Sequence, residues 1–305
     1  MSVRVLVTGA SGFVGAHIAS GLLKKGFEVV TTDRTPRPGN LPADITDYQQ
    51  INSVVARSRP DAVIHLAAIC GTSGTNEVEQ SMRQPILNFQ TNIGGTANVL
   101  EACRVNGVKK IVYMSSFAVY GKTGKDRLPI TEETATSANH AYAVSKLGGE
   151  EVVKTYSKDF GIKSVIFRTP NIAGEFQKER NVLREFIECA QAGKPLVIYG
   201  DGSHIREFIH PLDLTAAFAN ALSFLDGSLN PSVMFVVGNK GIQAKELATR
   251  IIARTGKGEI EYHPNPLGVT FDQYSDFSKA TALLSWNPRI TVDDIIDRII
   301  TLEAT

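Results

Sequence analysis

A chain of 305 residues, 43% of them hydrophobic, is long enough to bury one large core or two smaller ones. Its formal net charge of +1 offers no electrostatic case for nucleic acid or an anionic membrane surface, and no apolar stretch approaches the roughly 20 residues of a membrane span. Cys70, Cys103 and Cys189 are few, odd in number and far apart, which fits reduced thiols in the cytoplasm better than disulfides or a zinc site, and the N-terminus lacks the pattern of a signal peptide.

The chain opens on an apolar run of strand type, Val3–Thr8, followed by Gly9, Gly12 and Gly15 and a helical pattern over Ala16–Lys25. That geometry suits a dinucleotide. Gly9 allows a tight turn off the strand, Gly12 lets the backbone approach a pyrophosphate, and Gly15 lets the helix pack on the sheet with its N-terminus aimed at the phosphates. The next strand, Glu28–Thr32, runs into Asp33, about 20 residues beyond the glycines, where a carboxylate can accept hydrogen bonds from the adenosine ribose. A carboxylate there repels a 2′-phosphate and favours NAD over NADP, although the adjacent Arg34 could tolerate that phosphate. A plain turn acid before Thr35-Pro36 is the alternative role for Asp33.

Strands are predicted next at Ala62–Leu66, Lys110–Met114 and Lys163–Arg168, and helices at Tyr48–Ser58, Asn88–Asn106 and Tyr142–Phe160. This alternation is the pattern of a doubly wound parallel sheet. After Arg168 the rhythm loosens into a helix over Val182–Ala192, a short strand ending at Tyr199, a helix over Pro211–Leu225, a strand over Val233–Val237 and a mostly helical tail from Gln243. The expected fold is α/β: a Rossmann-type NAD-binding domain over residues 1–170, which a segment near 208–238 rejoins, and a smaller mixed α/β substrate-binding domain over 171–305.

Tyr142 and Lys146 stand four residues apart, one turn along a single helix face. A phenol with a pKa of about 10 is a poor base at neutral pH, but a cation held close favours phenolate and brings it into range. Ser115-Ser116 follows the strand Lys110–Met114 at the carboxyl edge, where such a sheet binds its ligands. A hydroxyl there can hold the reacting oxygen while Tyr142 moves its proton.

The sequence resembles the extended short-chain dehydrogenases/reductases, and within them the sugar-nucleotide epimerases of the NAD-dependent epimerase/dehydratase family. The resemblance covers nearly the whole chain, through Thr8-Gly9-x-x-Gly12-x-x-Gly15, His65-Leu-Ala-Ala68, Asn92-x-x-Gly95-Thr96-x-Asn98, Ser115-Ser116-x-x-Val119-Tyr120-Gly121, Tyr142-x-x-x-Lys146 and Arg206-Glu-Phe-Ile-His210. It implies Phe13 and Val14 beside the pyrophosphate of NAD, Asp44 and Ile45 beside the adenine, and Leu66, Ala67, Ala68 and Asn92 towards the nicotinamide. Lys146 would also bond the nicotinamide ribose. It implies, further, that Asn171 and Arg206 contact a nucleotide diphosphate and that Val197 and Tyr199 border its base. The implied activity is epimerisation at C4 of a nucleotide-diphosphate sugar, such as UDP-glucose/galactose or a related uronate or pentose, by a homodimer whose two long helices, Asn88–Asn106 and Tyr142–Phe160, pair with their copies. Catalysis would rest on Ser116, Tyr142 and Lys146, with no metal.

Three departures stand out. Phe117-Ala118 replaces the Asp-Glu pair with which the family's dehydratases eliminate water, which argues against that reaction. Pro266-Leu-Gly268 stands where an Arg-Pro-Gly motif usually supplies a second diphosphate arginine, leaving Arg180, Lys178 or His263 as alternatives. Cys70–Glu79 forms a longer Gly/Ser/Thr-rich segment after the His65 motif. The lost arginine keeps open a nucleotide-sugar reductase, a decarboxylase or a sugar dehydrogenase on the same scaffold. A nucleotide-sensing protein without catalysis is disfavoured because Ser116, Tyr142 and Lys146 are all present.

Overall fold

The computed structural model describes residues 2–70, 83–265 and 271–303. Pro266-Leu-Gly268 and most of the Gly/Ser/Thr-rich segment after Cys70 lie outside the described residues. The strands of the N-terminal half are β1 (Arg4–Thr8), β2 (Glu28–Asp33), β3 (Asn40–Pro42), β4 (Ala62–His65), β5 (Lys110–Met114) and β6 (Lys163–Arg168). Later come β7 (Asn171–Ile172), β8 (Leu196–Tyr199), β9 (Ile205–Arg206), β10 (Phe208–Ile209), β11 (Ser232–Val236), β12 (Ile242–Gln243) and β13 (Ile260–His263). Seven strands make one parallel sheet in the order β11-β6-β5-β4-β1-β2-β3. The order reverses at β1, so the crevice beside its carboxyl end is the position where such sheets take a ligand.

Side-chain alternation divides each strand between two cores. Val5 and Val7 face one side with Ile64, Val112 and Phe167, while Leu6 faces the other with Val63, Ile111 and Ile166. On the first side lie α1 (Phe13–Lys24) and the later helix Pro211–Gly227, with Trp286 sealing the layer. On the second lie α2 (Tyr48–Ser58) and a long broken helix: α3 (Pro85–Phe89), a π-helical turn over Gln90–Gly95, and α4 (Thr96–Val105). Against that helix packs α5 (Ala141–Phe160), which ends on Gly161 in the left-handed conformation. The remaining helices are α6 (Val182–Gln191), α7 (the Pro211–Gly227 helix), α8 (Ala244–Thr255), α9 (Ser278–Leu284) and α10 (Val292–Glu303).

Of these, α6, α8 and α10 bury Leu183, Phe186, Leu247, Ile251, Ile295 and Ile299 in a separate apolar cluster with β8. Edge strand β3, where Pro42 costs nothing because one side of the strand has no partner, carried no sequence signal, and neither did the π-turn or the short strands β7, β9, β10, β12 and β13. None of the described helices is long and apolar enough to cross a membrane.

One ion pair sits inside the sheet's helical layer. Arg168, at the end of β6, donates to Glu150 of α5 from Nε (2.9 Å) and Nη2 (2.7 Å), and from Nη1 to Tyr120 Oη (3.1 Å). Burial opposes the charge on Arg168, but bidentate pairing outweighs it and raises the guanidinium pKa. Ser115 Oγ donates to the same carboxylate, so the pair anchors the strand end that carries Ser116. Replacing Glu150 by Ala leaves a buried unpaired guanidinium and is expected to cost about 3–5 kcal/mol. Urea unfolding checks this: Glu150→Ala should lower the midpoint sharply, and joint replacement of Glu150 and Arg168 by Met should recover most of it.

Candidate active site

The carboxyl ends of β1, β4, β5 and β6 open into a cavity of about 1000 Å³ that reaches from Asp33 to Arg206. Gly9, at φ +70°, and Gly15 build its phosphate end. A Cβ on Gly9 would lie 2.7 Å from the Ala67 nitrogen, and one on Gly15 only 2.1 Å from the Gly9 carbonyl oxygen. Any larger residue would close the cradle. No side chain caps α1, whose first turn, with Phe13 and Val14, lines the cavity, so its amides remain for an anion. Asp33 accepts from the backbone nitrogens of Ser11 and Thr35, both at 3.0 Å. Those two bonds fix a carboxylate whose remaining lone pairs suit a ribose diol. Arg34, Asp44 and Ile45 line the same end. These residues fit a dinucleotide.

The wall towards Ser116, Tyr142 and Lys146 is Leu66, Ala67 and Ala68. It is held from behind by a chain of hydrogen bonds whose direction can be assigned. The Leu66 and Ala67 N–H groups both donate to Thr8 Oγ1 at 3.2 Å, which leaves Thr8 to donate to His65 Nδ1 at 2.7 Å. His65 Nε2–H then donates to Thr96 Oγ1 (3.0 Å), and Thr96 donates to the Asn92 carbonyl (2.7 Å). Burial, reinforced by Lys146, holds the His65 pKa down at about 3, so the ring is neutral.

Tyr142 and Lys146 line the cavity from α5, and Ser116 lines it from the end of β5. Lys146 is buried, with Nζ 4.4 Å from the centre of the Tyr113 ring. Burial lowers its pKa to about 8, partly offset by Cys70 and Glu150, which leaves it mostly charged at neutral pH. The Ala118 N–H donates to Ser116 Oγ at 3.1 Å, so the serine's own proton is available to the cavity. The paired serines therefore differ: Ser115 Oγ is bonded to Glu150, and Ser116 lines the cavity with its proton unused.

At the far end are Asn171 and Arg206. Arg206 stacks on Phe271, 4.5 Å from its ring centre, and donates to the Phe271 carbonyl. Burial pulls its pKa to about 10, with Asp272 working the other way, so it remains a cation. Three expected contacts are not brought to the cavity. Asn92 stands behind the wall, where its amide accepts from Ile69 N (2.7 Å) and donates to Ile69 O and Ser145 Oγ (both 2.9 Å). Val197 and Tyr199 lie on β8 outside the cavity lining, and the Tyr199 ring packs edge-on against His263. Gln177, Asn181 and Gln273 line the cavity without any sequence pattern that marked them.

A family model described as the NAD-dependent epimerase/dehydratase family matches residues 5–238. The chain belongs to that family. It is 30% identical to the UDP-glucose 4-epimerase of Lacticaseibacillus casei over 98% of its own length and 95% of that protein. Among solved structures, the UDP-glucose 4-epimerase of Brucella ovis in complex with NAD superposes with a TM-score of 0.87 at 27% identity, covering 99% of this chain and 98% of that one. The enzyme of the same name from Thermus thermophilus, also in complex with NAD, gives 0.83 at 29% identity, with 98% of each chain covered.

Next to Arg206, this epimerase/dehydratase family member buries a carboxyl with no cationic partner among the described residues. Glu207 Oε1 accepts from Asn239 N (2.6 Å) and Ser275 Oγ (2.8 Å), while Oε2 has no partner among the described residues. Burial outweighs those bonds and raises its pKa to about 8. A folded-state pKa above the unfolded value gives stability that is complete below about pH 4.5 and is lost as pH rises through about 8. Glu207→Gln should therefore gain on the parent between pH 4 and pH 9, by about 5 kcal/mol if the whole shift is expressed. Parallel denaturant titrations at the two pH values measure it. An equal difference at both would show that Glu207 is not held protonated.

Proposed function

We propose that this protein is an NAD-dependent 4-epimerase of a nucleotide-diphosphate sugar, with a UDP-hexose, UDP-uronate or UDP-pentose as substrate. The observation that carries this reading is convergence: the dinucleotide cradle, Ser116, Tyr142 and Lys146, and the Asn171–Arg206 end share one cavity. The names of the similar enzymes point the same way. Gly9, Gly12, Phe13, Val14 and Gly15 would hold the pyrophosphate, Asp33 the adenosine ribose, and Lys146 the nicotinamide ribose. Bound NAD supplies a hydride acceptor that can return the hydride.

The chain's own groups manage the proton. Tyr142 takes it from the 4-hydroxyl, since the Lys146 ammonium one turn away favours phenolate. Ser116 donates to the reacting oxygen with the proton that its Ala118 contact leaves unused. The same residues return the proton after the 4-keto sugar has presented its other face. Phe117 and Ala118 offer no acid–base pair for losing water, so the sugar keeps all its oxygens.

A two-fold homodimer in the cytoplasm completes the reading. Ile86 and Phe89 on α3 and Val144 on the adjoining α5 are exposed apolar side chains of the two helices expected to pair with their copies. None of the three cysteines forms a disulfide, in keeping with a reducing compartment.

Incubation with a panel of UDP-sugars and no added cofactor tests the activity, followed by NMR. Interconversion of 4-epimers is expected, and Tyr142→Phe should cut turnover by about 10²–10⁴ with bound NAD retained. A need for stoichiometric NADH would instead identify a one-way reductase. For the dimer, light scattering should give twice the 33.0 kDa chain mass, and the double substitution Ile86→Glu, Val144→Glu should shift it to one.

A further inference from the structure

If the ligand is a nucleotide-diphosphate sugar, as proposed above, its two phosphates bring two negative charges to the Asn171–Arg206 end. Arg206 cannot serve both with a free guanidinium. Part of its fork is already donated to the Phe271 carbonyl, and one face lies on the Phe271 ring. The segment from Asn265 to Asp272 holds no Lys or Arg that could assist.

Of the three cations left open by the sequence, only one reaches the cavity. Lys178 is exposed and outside its lining, and His263 is bonded to Glu261 at 2.6 Å. Arg180 lines it, and its guanidinium has no carboxylate partner among the described residues.

The loop that carries Arg180 is tied at several points. Glu175 accepts from Arg298 at 3.0 Å and bonds His210 at 2.6 Å. Gln177, 5% exposed and also in the lining, donates to the Glu179 carbonyl at 3.0 Å. Asn181 then caps α6, accepting from Arg184 N at 3.0 Å and donating to the Ile172 carbonyl at 3.3 Å. Arg180 is thus presented on a braced turn immediately before the positive end of α6, so little backbone freedom is lost when it closes on an anion. Two carboxylates, Glu179 and Glu185, share this wall, and Glu179 already accepts from Lys178 N. Anion binding here therefore needs a placed guanidinium and not general charge.

We propose that Arg180 is the second diphosphate-binding cation of this enzyme, acting with Arg206 across the substrate end of the cavity. Its planar fork suits phosphate oxygens in a way that the neighbouring Lys178 could not reproduce.

Calorimetric titration of the NAD-loaded protein with UDP and with uridine tests this. Arg180→Ala should weaken UDP binding roughly tenfold and leave uridine affinity unchanged, and Arg180→Lys should recover part of the loss. UDP binding by the parent should also fall more steeply with salt than binding by the Ala variant. Equal loss for UDP and uridine would mean a distorted loop and would overturn the assignment, as would unchanged UDP affinity. A parent protein that ignores UDP altogether would overturn the nucleotide-sugar reading beneath it as well.

Discussion

The site rests on a buried hydrogen-bond relay that stands behind the cavity lining. Two backbone donors after β4 converge on Thr8, and this forces a single proton order through His65 and Thr96 to the Asn92 carbonyl. Reversing any one bond would leave a buried donor facing a donor, at about 1–3 kcal/mol. Because the ring of His65 is kept neutral, the relay is insensitive to ordinary pH. It locks β1 to β4 at the point where the strand order reverses, and it sets the distance between the glycine cradle and the Leu66–Ala68 wall. Asn92 then extends the same frame to α5 through Ser145, whose Oγ donates to the Tyr142 carbonyl. The Leu66–Ala68 wall and the helix that carries Tyr142 are parts of one hydrogen-bonded network.

The π-turn makes that junction possible. An extra residue in one helical turn shifts the faces that follow, so Asn92 and Thr96 point into the relay while Asn98 donates to the carbonyls of Ile45 and Thr46. Gly95 lets Ile45 pack against the same turn, where a Cβ would approach its side chain to 2.6 Å. The motif from Asn92 to Asn98 acts as a splint joining the loops after β3 and β4 to α5.

Charge is handled differently at the two ends of the cavity. Near the sheet, the Glu150–Arg168 pair is fully internal and its role is positional: it holds Ser115 inward so that Ser116 faces the cavity. At the far end, Arg180 has no carboxylate partner among the described residues, while Glu179 accepts from Lys178 N and Glu175 is engaged by His210 and Arg298. That asymmetry suits a site where a proton moves at one end and a strongly anionic group is gripped at the other.

Much of this was legible in the sequence. The strands predicted at Lys110–Met114 and Lys163–Arg168 and the helix Tyr48–Ser58 coincide with the observed elements, because short apolar runs and helical spacing are local properties. The glycine spacing, Asp33 and the Tyr142–Lys146 interval are likewise local, and all line the cavity. What local pattern could not reveal is which polar residues face inward. Asn92 and Asn171 look alike as sequence, yet one is consumed by Ile69 and Ser145 and the other lines the cavity. Val197 and Tyr199 belong to a short strand whose direction depends on its pairing with β13, more than sixty residues later. The choice of Arg180 over Lys178 or His263, and the burial of Glu207 without a cationic partner among the described residues, depend on contacts between segments far apart in the chain. Spacing along a strand or helix is set by backbone geometry alone, whereas the partner of a buried polar group is decided only when distant segments close around it.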